Sequence, residues 1–257
     1  NKELWLVGTG EMALAYARVL REQGAPFLVI GRSEERCRHF EEQVGVAPVA
    51  GGLANFLAAN PTAPEKAIVA VGVEALADVS ARLINYGVSN VLIEKPGMGA
   101  PSELAQVARA AESKGSTALL AYNRRFYASV MKAEELIEED GGVESFCFEF
   151  TEWSHVIGEL DKTAVEHRNW FLGNSSHVVD LAFFLCGKPL RVQTFVKGSL
   201  DWHPASAVFT GAGETDKEAL FSYHANWKSP GRWWLEILTS KRRLIFRPLE
   251  KLQVQNI

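Results

Sequence analysis

The sequence predicts an α/β protein in two parts, and three observations support this prediction. The chain has 257 residues, which is long enough for two domains of ordinary size. Up to about residue 122, short apolar runs alternate with helical periods, as in a parallel sheet covered by helices on both faces. Beyond it, strand-like segments follow one another with few helices between them. We therefore predict a doubly wound parallel α/β domain over residues 1–122 and an α+β domain with an open, mostly antiparallel sheet over residues 123–257.

In the first part, six apolar runs are interpreted as buried strands. They are Leu4–Val7, Phe27–Ile30, Val46–Val49, Ala67–Val71, Val91–Ile93 and Thr117–Ala121. Helices are expected after the first run as far as Gln23, from the capping residue Ser33, over Glu74–Asn85 and over Pro101–Lys114. Gly24 and Gly115 follow two of these helices directly, and glycine often occupies the left-handed position that ends a helix.

In the second part, the segment Glu144–Phe150 alternates apolar and polar residues with a period of two, which is typical of a half-buried strand. Further strands are expected at Arg191–Val196, Ala205–Thr210, Glu218–Trp227, Trp233–Leu238 and Arg243–Phe246. Two helices are expected, over Ser129–Glu139 and Ser175–Cys186.

The composition excludes several classes of protein. A formal charge of −4 without a basic tract disfavours nucleic-acid binding, which needs clustered Lys and Arg. The longest apolar stretch, Ala67–Val73, is far shorter than the roughly 18 residues of a membrane span. Cys37, Cys147 and Cys186 lack the spacing of metal ligands, so no metal site is expected. Separate reduced thiols favour a reducing, cytoplasmic location.

A Gly-x-Gly-x-x-Ala loop lies between the first predicted strand and the first helix. Its first glycine permits a tight turn, its second lets backbone N–H groups approach a pyrophosphate, and its alanine allows close helix packing. The helix N-terminus adds a partial positive charge. We therefore predict that this loop binds a dinucleotide through Gly8, Thr9, Gly10, Glu11, Met12 and Ala13.

The residues after the second predicted strand are Gly31-Arg32-Ser33. A carboxylate at this place would bind a ribose 2′-hydroxyl and favour NAD. A guanidinium and a hydroxyl instead attract a 2′-phosphate. We therefore favour NADP over NAD, with Arg32 and Ser33 as contacts. The alternative is that Ser33 only caps its helix and Arg32 is solvated.

Three further motifs occur in order along the chain. Glu94-Lys95-Pro96 follows the fifth predicted strand, Tyr122–Phe126 lies at the junction of the two parts, and Ser176–Asp180 opens the last helix. Together with the glycine loop, they resemble the glucose-fructose oxidoreductase/inositol dehydrogenase (Gfo/Idh/MocA) family over essentially the whole chain. The resemblance implies a Rossmann domain followed by a substrate domain. It also implies hydride transfer between a nicotinamide cofactor and a sugar, cyclitol or nucleotide sugar.

The resemblance also implies catalytic roles. Lys95 would hydrogen-bond the reacting oxygen, His177 would exchange its proton, and Asp180 would orient the imidazole or contact the substrate. Asp180 lies one helical turn after His177, on the same face. The alternative is that Asp180 is a structural partner of an arginine or of the backbone.

Further contacts are expected around these residues. Besides the loop and Lys95, the cofactor contacts are Val71, Glu94 and Asn123. Besides Lys95 and His177, the substrate contacts are Asn123, Arg124, Arg168, Trp170 and Asn174. For Asn123 and Arg124 the alternative is hydrogen bonding at the junction of the two parts, and for the aromatic residues it is packing.

The chain departs from the family pattern near His177. Many members carry an aspartate four residues before the histidine, where this chain has Gly173. In the inositol dehydrogenase branch the acid aligns with Asp180, and the histidine aligns with Phe184. The third catalytic residue therefore stays open.

Two other functions remain as alternatives to a dehydrogenase. One is a non-catalytic regulatory protein that senses dinucleotides, and the other is a glycosidase that uses bound NAD for transient oxidation.

The aromatic strands of the second part would leave an apolar patch in water if they were uncovered. We therefore expect a homodimer or homotetramer through the C-terminal sheet.

Overall fold

The computed structural model describes residues 3–97 and 101–257. It divides into two compact units, Asn1–Ala121 and Tyr122–Ile257, one residue before the predicted boundary. Within the described part of the chain, no helix has both the length and the apolar composition needed to cross a lipid bilayer.

The first unit is built on a five-stranded parallel sheet with helices between the strands. The strands are β1 (Leu4–Val7), β2 (Phe27–Ile30), β3 (Lys66–Val69), β4 (Asn90–Ile93) and β5 (Thr117–Leu120), in the order β2-β1-β3-β4-β5. The helices are α1 (Glu11–Glu22), α2 (Glu34–Val44), α3 (Gly52–Ala58), α4 (Leu76–Tyr86) and α5 (Pro101–Lys114), with a 3₁₀ turn at Val73–Ala75.

The central strands of this sheet, β1 and β3, are buried on both faces. Leu6 of β1 packs in a cluster with α1 and α2, whereas its neighbours Trp5 and Val7 pack in a second cluster with α3, α4 and α5. The predicted doubly wound sheet is therefore confirmed. Strand order reverses beside β1, so the carboxyl ends of β1 and β3 flank the point where such sheets bind ligands.

The predicted strand Val46–Val49 is wrong. Only a single bridge forms there, between Val49 and Ile30 of β2. Pro48 lacks the N–H that a sheet ladder requires, which explains why the run stays irregular. Helix α3, which follows it, is absent from the predicted elements.

The second unit contains a seven-stranded sheet. Its strands are β6 (Ser145–Glu149), β7 (Pro189–Lys197), β8 (Val208–Thr215), β9 (Leu220–Asn226), β10 (Trp234–Leu238), β11 (Arg242–Phe246) and β12 (Leu252–Asn256). The order is β12-β11-β10-β6-β9-β8-β7, and only the β6–β9 pair is parallel. The helices are α6 (Ala128–Glu139), α7 (Ser154–Ile157), α8 (Ala164–Arg168) and α9 (Ser176–Cys186), with a 3₁₀ turn at Asn123–Phe126 and a π-helical turn at Phe171–Ser175. The predicted, mostly antiparallel α+β sheet is confirmed.

Helix α9 packs on one face of this sheet. The ring of Phe183 meets Phe146 and Phe148 of β6 edge-to-face, with centroids 5.8 and 5.9 Å apart. Because side chains alternate along a strand, Glu149 of β6 belongs to the opposite face. The core of the unit thus lies between the sheet and helices α6 and α9.

Several features of the second unit differ from the prediction, among them the short helices α7 and α8, which are absent from the predicted elements. Strand β8 begins at Val208 rather than at Ala205, and β12 at Leu252–Asn256 is absent from the predicted strands. Strand β12 is an edge strand with few apolar residues, so it gives a weak pattern. Helix α8 has a sequence signal, because Thr163 and Glu166 form a capping box at its start.

Candidate functional site

The first predicted glycine of the loop is required by the fold. Gly8 follows β1 with φ at +126°, and a Cβ atom there would lie 2.1 Å from the carbonyl oxygen of Ala70. Glycine alone accepts this backbone conformation and this close approach. The loop therefore passes tightly against the chain that leaves β3.

The second glycine faces open space. Gly10 caps α1 with extended backbone, and no atom lies within 4 Å of the position that its Cβ would take. The first N–H groups of a helix have no partner within the helix, so they are available to an anion at this open position. Ala13, in the first turn of α1, is fully buried, Thr9 is half-buried, and Met12 and Glu11 are exposed. This arrangement fits a pyrophosphate.

At the end of β2, Arg32 and Ser33 are exposed. The Ser33 hydroxyl accepts a hydrogen bond of 3.2 Å from the backbone N–H of Arg36 and so caps α2. The alternative that Ser33 caps its helix is therefore confirmed. The hydroxyl proton and the Arg32 guanidinium both remain available to a 2′-phosphate.

At the end of β4, the Glu94-Lys95-Pro96 segment is anchored to α1. Glu94 is buried and accepts a 2.7 Å hydrogen bond from the hydroxyl of Tyr16. Burial, together with this bond, raises the pKa of Tyr16, which keeps the phenol protonated as a donor. Lys95 is half-buried, and its peptide bond to Pro96 is cis.

The predicted cofactor residues of the first unit thus follow the ends of four strands. Gly8 follows β1, Arg32 follows β2, the half-buried Val71 follows β3, and Lys95 follows β4. Carboxyl ends of parallel strands share one edge of a sheet. We call this set the cofactor edge.

In the second unit, His177 lies in the first turn of α9 and is buried. Its ring is perpendicular to that of Tyr122, with centroids 5.8 Å apart, and contacts Trp233 at 6.3 Å. Burial raises the pKa of Tyr122, while the neighbouring Ser176 hydroxyl lowers it. We call His177 with these two aromatic rings the His177 slot.

Asp180 serves as an ion-pair partner. Its carboxylate accepts hydrogen bonds from Nε of Arg125, at 2.8 Å, and from Nη2 of the same guanidinium. This pairing raises the pKa of Arg125. The guanidinium also lies over the ring of Phe184, 4.8 Å from its centroid. The structure therefore favours the alternative that Asp180 is the partner of an arginine, since both of its oxygens are engaged there.

The other predicted substrate residues have different surroundings. Arg124 lies over the Trp233 ring, 5.0 Å from its centroid, and its Nη2 is 3.6 Å from Glu250, so it borders the His177 slot. Asn123 is exposed. Because Arg124 borders the His177 slot, it stays a candidate for contact with the substrate.

Arg168 and Trp170 contribute to local packing. The Nε atom of Arg168 donates to the carbonyl of Ala164 in its own helix, and the side chain is exposed. The Trp170 ring packs against His167 and Trp202, at 6.3 and 6.2 Å. The structure therefore favours the packing alternative for Trp170, and Arg168 is not among the residues that it places at the His177 slot.

One buried acid beside the His177 slot is absent from the residues that the sequence predicts for the site. Glu152 is 1% exposed and accepts hydrogen bonds from Asn174 (3.0 Å), Ser175 (2.7 Å) and Arg232 (3.2 Å). Burial raises the pKa of Glu152, while Ser175, Arg232 and Asn174 lower it. A sequence signal exists: the buried alternation Phe146, Phe148, Phe150 continues to position 152.

Comparisons with known proteins agree with this architecture. Residues 3–122 match the Gfo/Idh/MocA oxidoreductase family with an NAD-binding Rossmann fold. This match covers nearly all of the first unit. No curated protein sequence matches the chain significantly.

Solved structures of dehydrogenases and other oxidoreductases share the fold of this chain. The WlbA dehydrogenase from Bordetella pertussis, in complex with NADH and UDP-GlcNAcA, has a TM-score of 0.79 at 16% identity, covering 95% of this chain and 77% of that one. A levoglucosan dehydrogenase in complex with NADH and L-sorbose has a TM-score of 0.81 at 18% identity, with coverages of 100% and 76%. A putative NADPH-dependent oxidoreductase from Desulfitobacterium hafniense has a TM-score of 0.81 at 19% identity, with coverages of 99% and 82%. At these identities the likeness extends to the fold alone.

Proposed function

We propose that this chain is a nicotinamide-dependent oxidoreductase that moves hydride between NADP(H) and a hydroxyl or keto carbon of a sugar, cyclitol or nucleotide sugar. The observation that carries the proposal is the open helix N-terminus at Gly10, next to the tight approach of Gly8 to Ala70. The family of the first unit supports the reaction type. The sugar ligands of the WlbA and levoglucosan dehydrogenases support the substrate class.

Two side chains of this chain are assigned to the reacting carbon. When bound, the nicotinamide accepts or supplies the hydride. The ammonium of Lys95 hydrogen-bonds the reacting oxygen and stabilises alkoxide charge as it develops. His177 takes the hydroxyl proton during oxidation and returns it during reduction, a role that suits an imidazole because this group titrates near neutrality.

The proposal is tested by following the near-ultraviolet absorbance of reduced nicotinamide with NADP and NAD against sugars, cyclitols and nucleotide sugars. We expect turnover that Lys95→Met abolishes, although this variant should still bind the cofactor through the glycine loop. Cofactor binding without turnover across the panel would instead indicate a dinucleotide sensor. A cofactor that copurifies and shows no net reduction while a glycoside is cleaved would indicate a glycosidase.

The choice of NADP rests on the exposed Arg32, with no carboxylate at the end of β2. Hydrogen bonds to charged groups contribute roughly 1.5–3 kcal/mol, so Arg32→Ala should weaken NADP binding by about 10- to 100-fold and leave NAD binding unchanged. Arg36→Ala, an exposed arginine of the same helix start, is the matched control. Tighter binding of NAD than of NADP by the unaltered protein would overturn this choice.

We also propose that the protein forms a homodimer or homotetramer through the sheet of the second unit. On the face opposite α9, Phe195 and Leu220 are 63% and 61% exposed, and Trp234 is half-buried. Exposed apolar side chains on one face of a sheet are typical of an interface. A monomer in sedimentation at micromolar concentration would contradict this assembly.

A further inference from the structure

Glu152 has no part in the reaction proposed above, yet it is among the most buried charged groups described. It lies three residues beyond β6 and is 1% exposed. A carboxylate loses most of its hydration at such a position, so its place in the fold depends on the partners that it finds there.

The side chains of Asn174, Ser175 and Arg232 each donate a hydrogen bond to this carboxylate. Oε1 accepts from Asn174 and Ser175, and Oε2 accepts from Arg232. An ionised carboxylate is acceptor-only, whereas an amide of the same shape must direct an N–H group at one side. The ionised form of Glu152 is therefore the form that satisfies this cluster.

The two carboxylate oxygens lead to two different parts of the His177 slot. Through Ser175, Glu152 holds the π-helical turn that ends two residues before His177. Through Arg232, it holds the residue next to Trp233, whose ring contacts His177. The Arg232 guanidinium is itself stacked on the Trp233 ring, 4.5 Å from the centroid.

We propose that Glu152 is a positioning residue: its carboxylate fixes the start of α9 and the Arg232–Trp233 wall, and thereby holds the His177 imidazole in the orientation that proton exchange with a substrate hydroxyl requires. This inference rests on the proposed function of His177. It assigns no substrate contact to Glu152 itself.

The test is the Glu152→Gln variant of the full chain, with two independent readouts. In hydride transfer with the substrate found in the panel, kcat should fall by about 10- to 100-fold, as expected for a misplaced catalytic group, with cofactor affinity unchanged. In the protein without substrate, the NMR signals and titration of the His177 imidazole, assigned with His177→Gln, should change. Glu152→Asp keeps the charge and should recover part of kcat.

Glu149→Gln is the matched control. Glu149, the last residue of β6, lies three positions before Glu152, is 8% exposed and accepts a hydrogen bond from Nε1 of Trp234, but it belongs to the sheet face opposite α9. This variant should change neither kcat nor the His177 signals. An active Glu152→Gln protein with unchanged kcat and unchanged His177 signals would overturn the inference and leave the proposed function intact.

The remaining outcomes are also decisive. If the unaltered protein transfers no hydride with any substrate, the proposed function fails, while the NMR readout still tests whether Glu152 holds the imidazole. If Glu152→Gln does not fold, the double variant with Arg232→Gln removes both charges and leaves no guanidinium stranded beside a neutral partner. The double variant should still show low kcat and altered His177 signals, and normal values for both would overturn the inference.

Discussion

The four residues of the cofactor edge each lie within two residues of a strand end, whereas the His177 slot of the second unit is built from distant parts of the chain. Gly8 lies one residue after β1, and Lys95 lies two residues after β4. His177 instead depends on Tyr122 and Trp233, 55 and 56 positions away, and on the carboxylate of Glu152. We therefore expect the cofactor edge to be sensitive to changes of the backbone. We expect the His177 slot to be sensitive to the loss of the polar side chains that hold its walls.

The largest expected effect, on the free energy of unfolding, comes from a change of the backbone at the cofactor edge. Gly8→Ala places a Cβ 2.1 Å from the Ala70 carbonyl at a φ of +126°. Backbone strain and overpacking each cost about 1–3 kcal/mol, a large share of the roughly 5–15 kcal/mol that stabilises a domain. We expect loss of folded protein or of about 2–6 kcal/mol in the free energy of unfolding, measured by chemical denaturation.

Gly10→Ala is the control for that change. Its Cβ meets nothing within 4 Å and its backbone is extended, so the free energy of unfolding should stay within about 0.5 kcal/mol. Cofactor affinity should nevertheless fall, because the new methyl group occupies the space reserved for the pyrophosphate. Unchanged cofactor affinity in Gly10→Ala would contradict the assigned phosphate position.

The next effect separates chemistry from binding in the His177 slot. His177→Gln removes the proton carrier, so kcat should fall by about 10²- to 10⁴-fold while cofactor affinity, set by the first unit, stays unchanged. His155 is an exposed histidine on α7, and His155→Gln is the control that should leave kcat unchanged. A comparable loss in both variants would remove His177 from the reaction.

The same contrast explains which parts of the fold were predictable. The cofactor edge follows from local patterns, because apolar runs, glycines and the residue after each strand are read directly from sequence. The boundaries of the last helix were predicted for the same reason, within one residue.

The parts that were not predicted depend on long-range pairing. Nothing near Asp180 in the sequence reveals that Arg125, 55 residues earlier, occupies both of its oxygens. Arg232 is likewise separated from Glu152 by 80 positions. The alternation Phe146, Phe148, Phe150 places residue 152 on the buried face, but it does not reveal the partners that make a carboxylate stable there.

A smaller effect concerns the pH dependence of stability at Glu152. Burial raises the pKa of Glu152, so the folded chain binds its proton more tightly than the unfolded chain does. The stability contributed by this group is therefore present at low pH and is lost as pH rises from the ordinary glutamate pKa through the raised one. Each tenfold difference in proton affinity corresponds to about 1.4 kcal/mol.

The measurement is the free energy of unfolding of the unaltered protein minus that of Glu152→Gln, followed across this pH interval. The difference should become less favourable to the unaltered protein as pH rises. An increase would mean that the Arg232 pair outweighs burial, and the pKa would then be lowered.

The smallest effect tests whether the Arg125–Asp180 pair belongs to the fold or to the reaction. Asp180→Asn should reduce the free energy of unfolding by only about 1 kcal/mol, because Arg125 is 37% exposed and solvent screens the pair. A double-mutant cycle with Arg125→Met should give a coupling energy of similar size. Since both carboxylate oxygens already bind Arg125, kcat should change little. A loss of kcat of about 100-fold without loss of stability would make Asp180 the third catalytic residue, and the His177 slot would then extend along α9 by one helical turn.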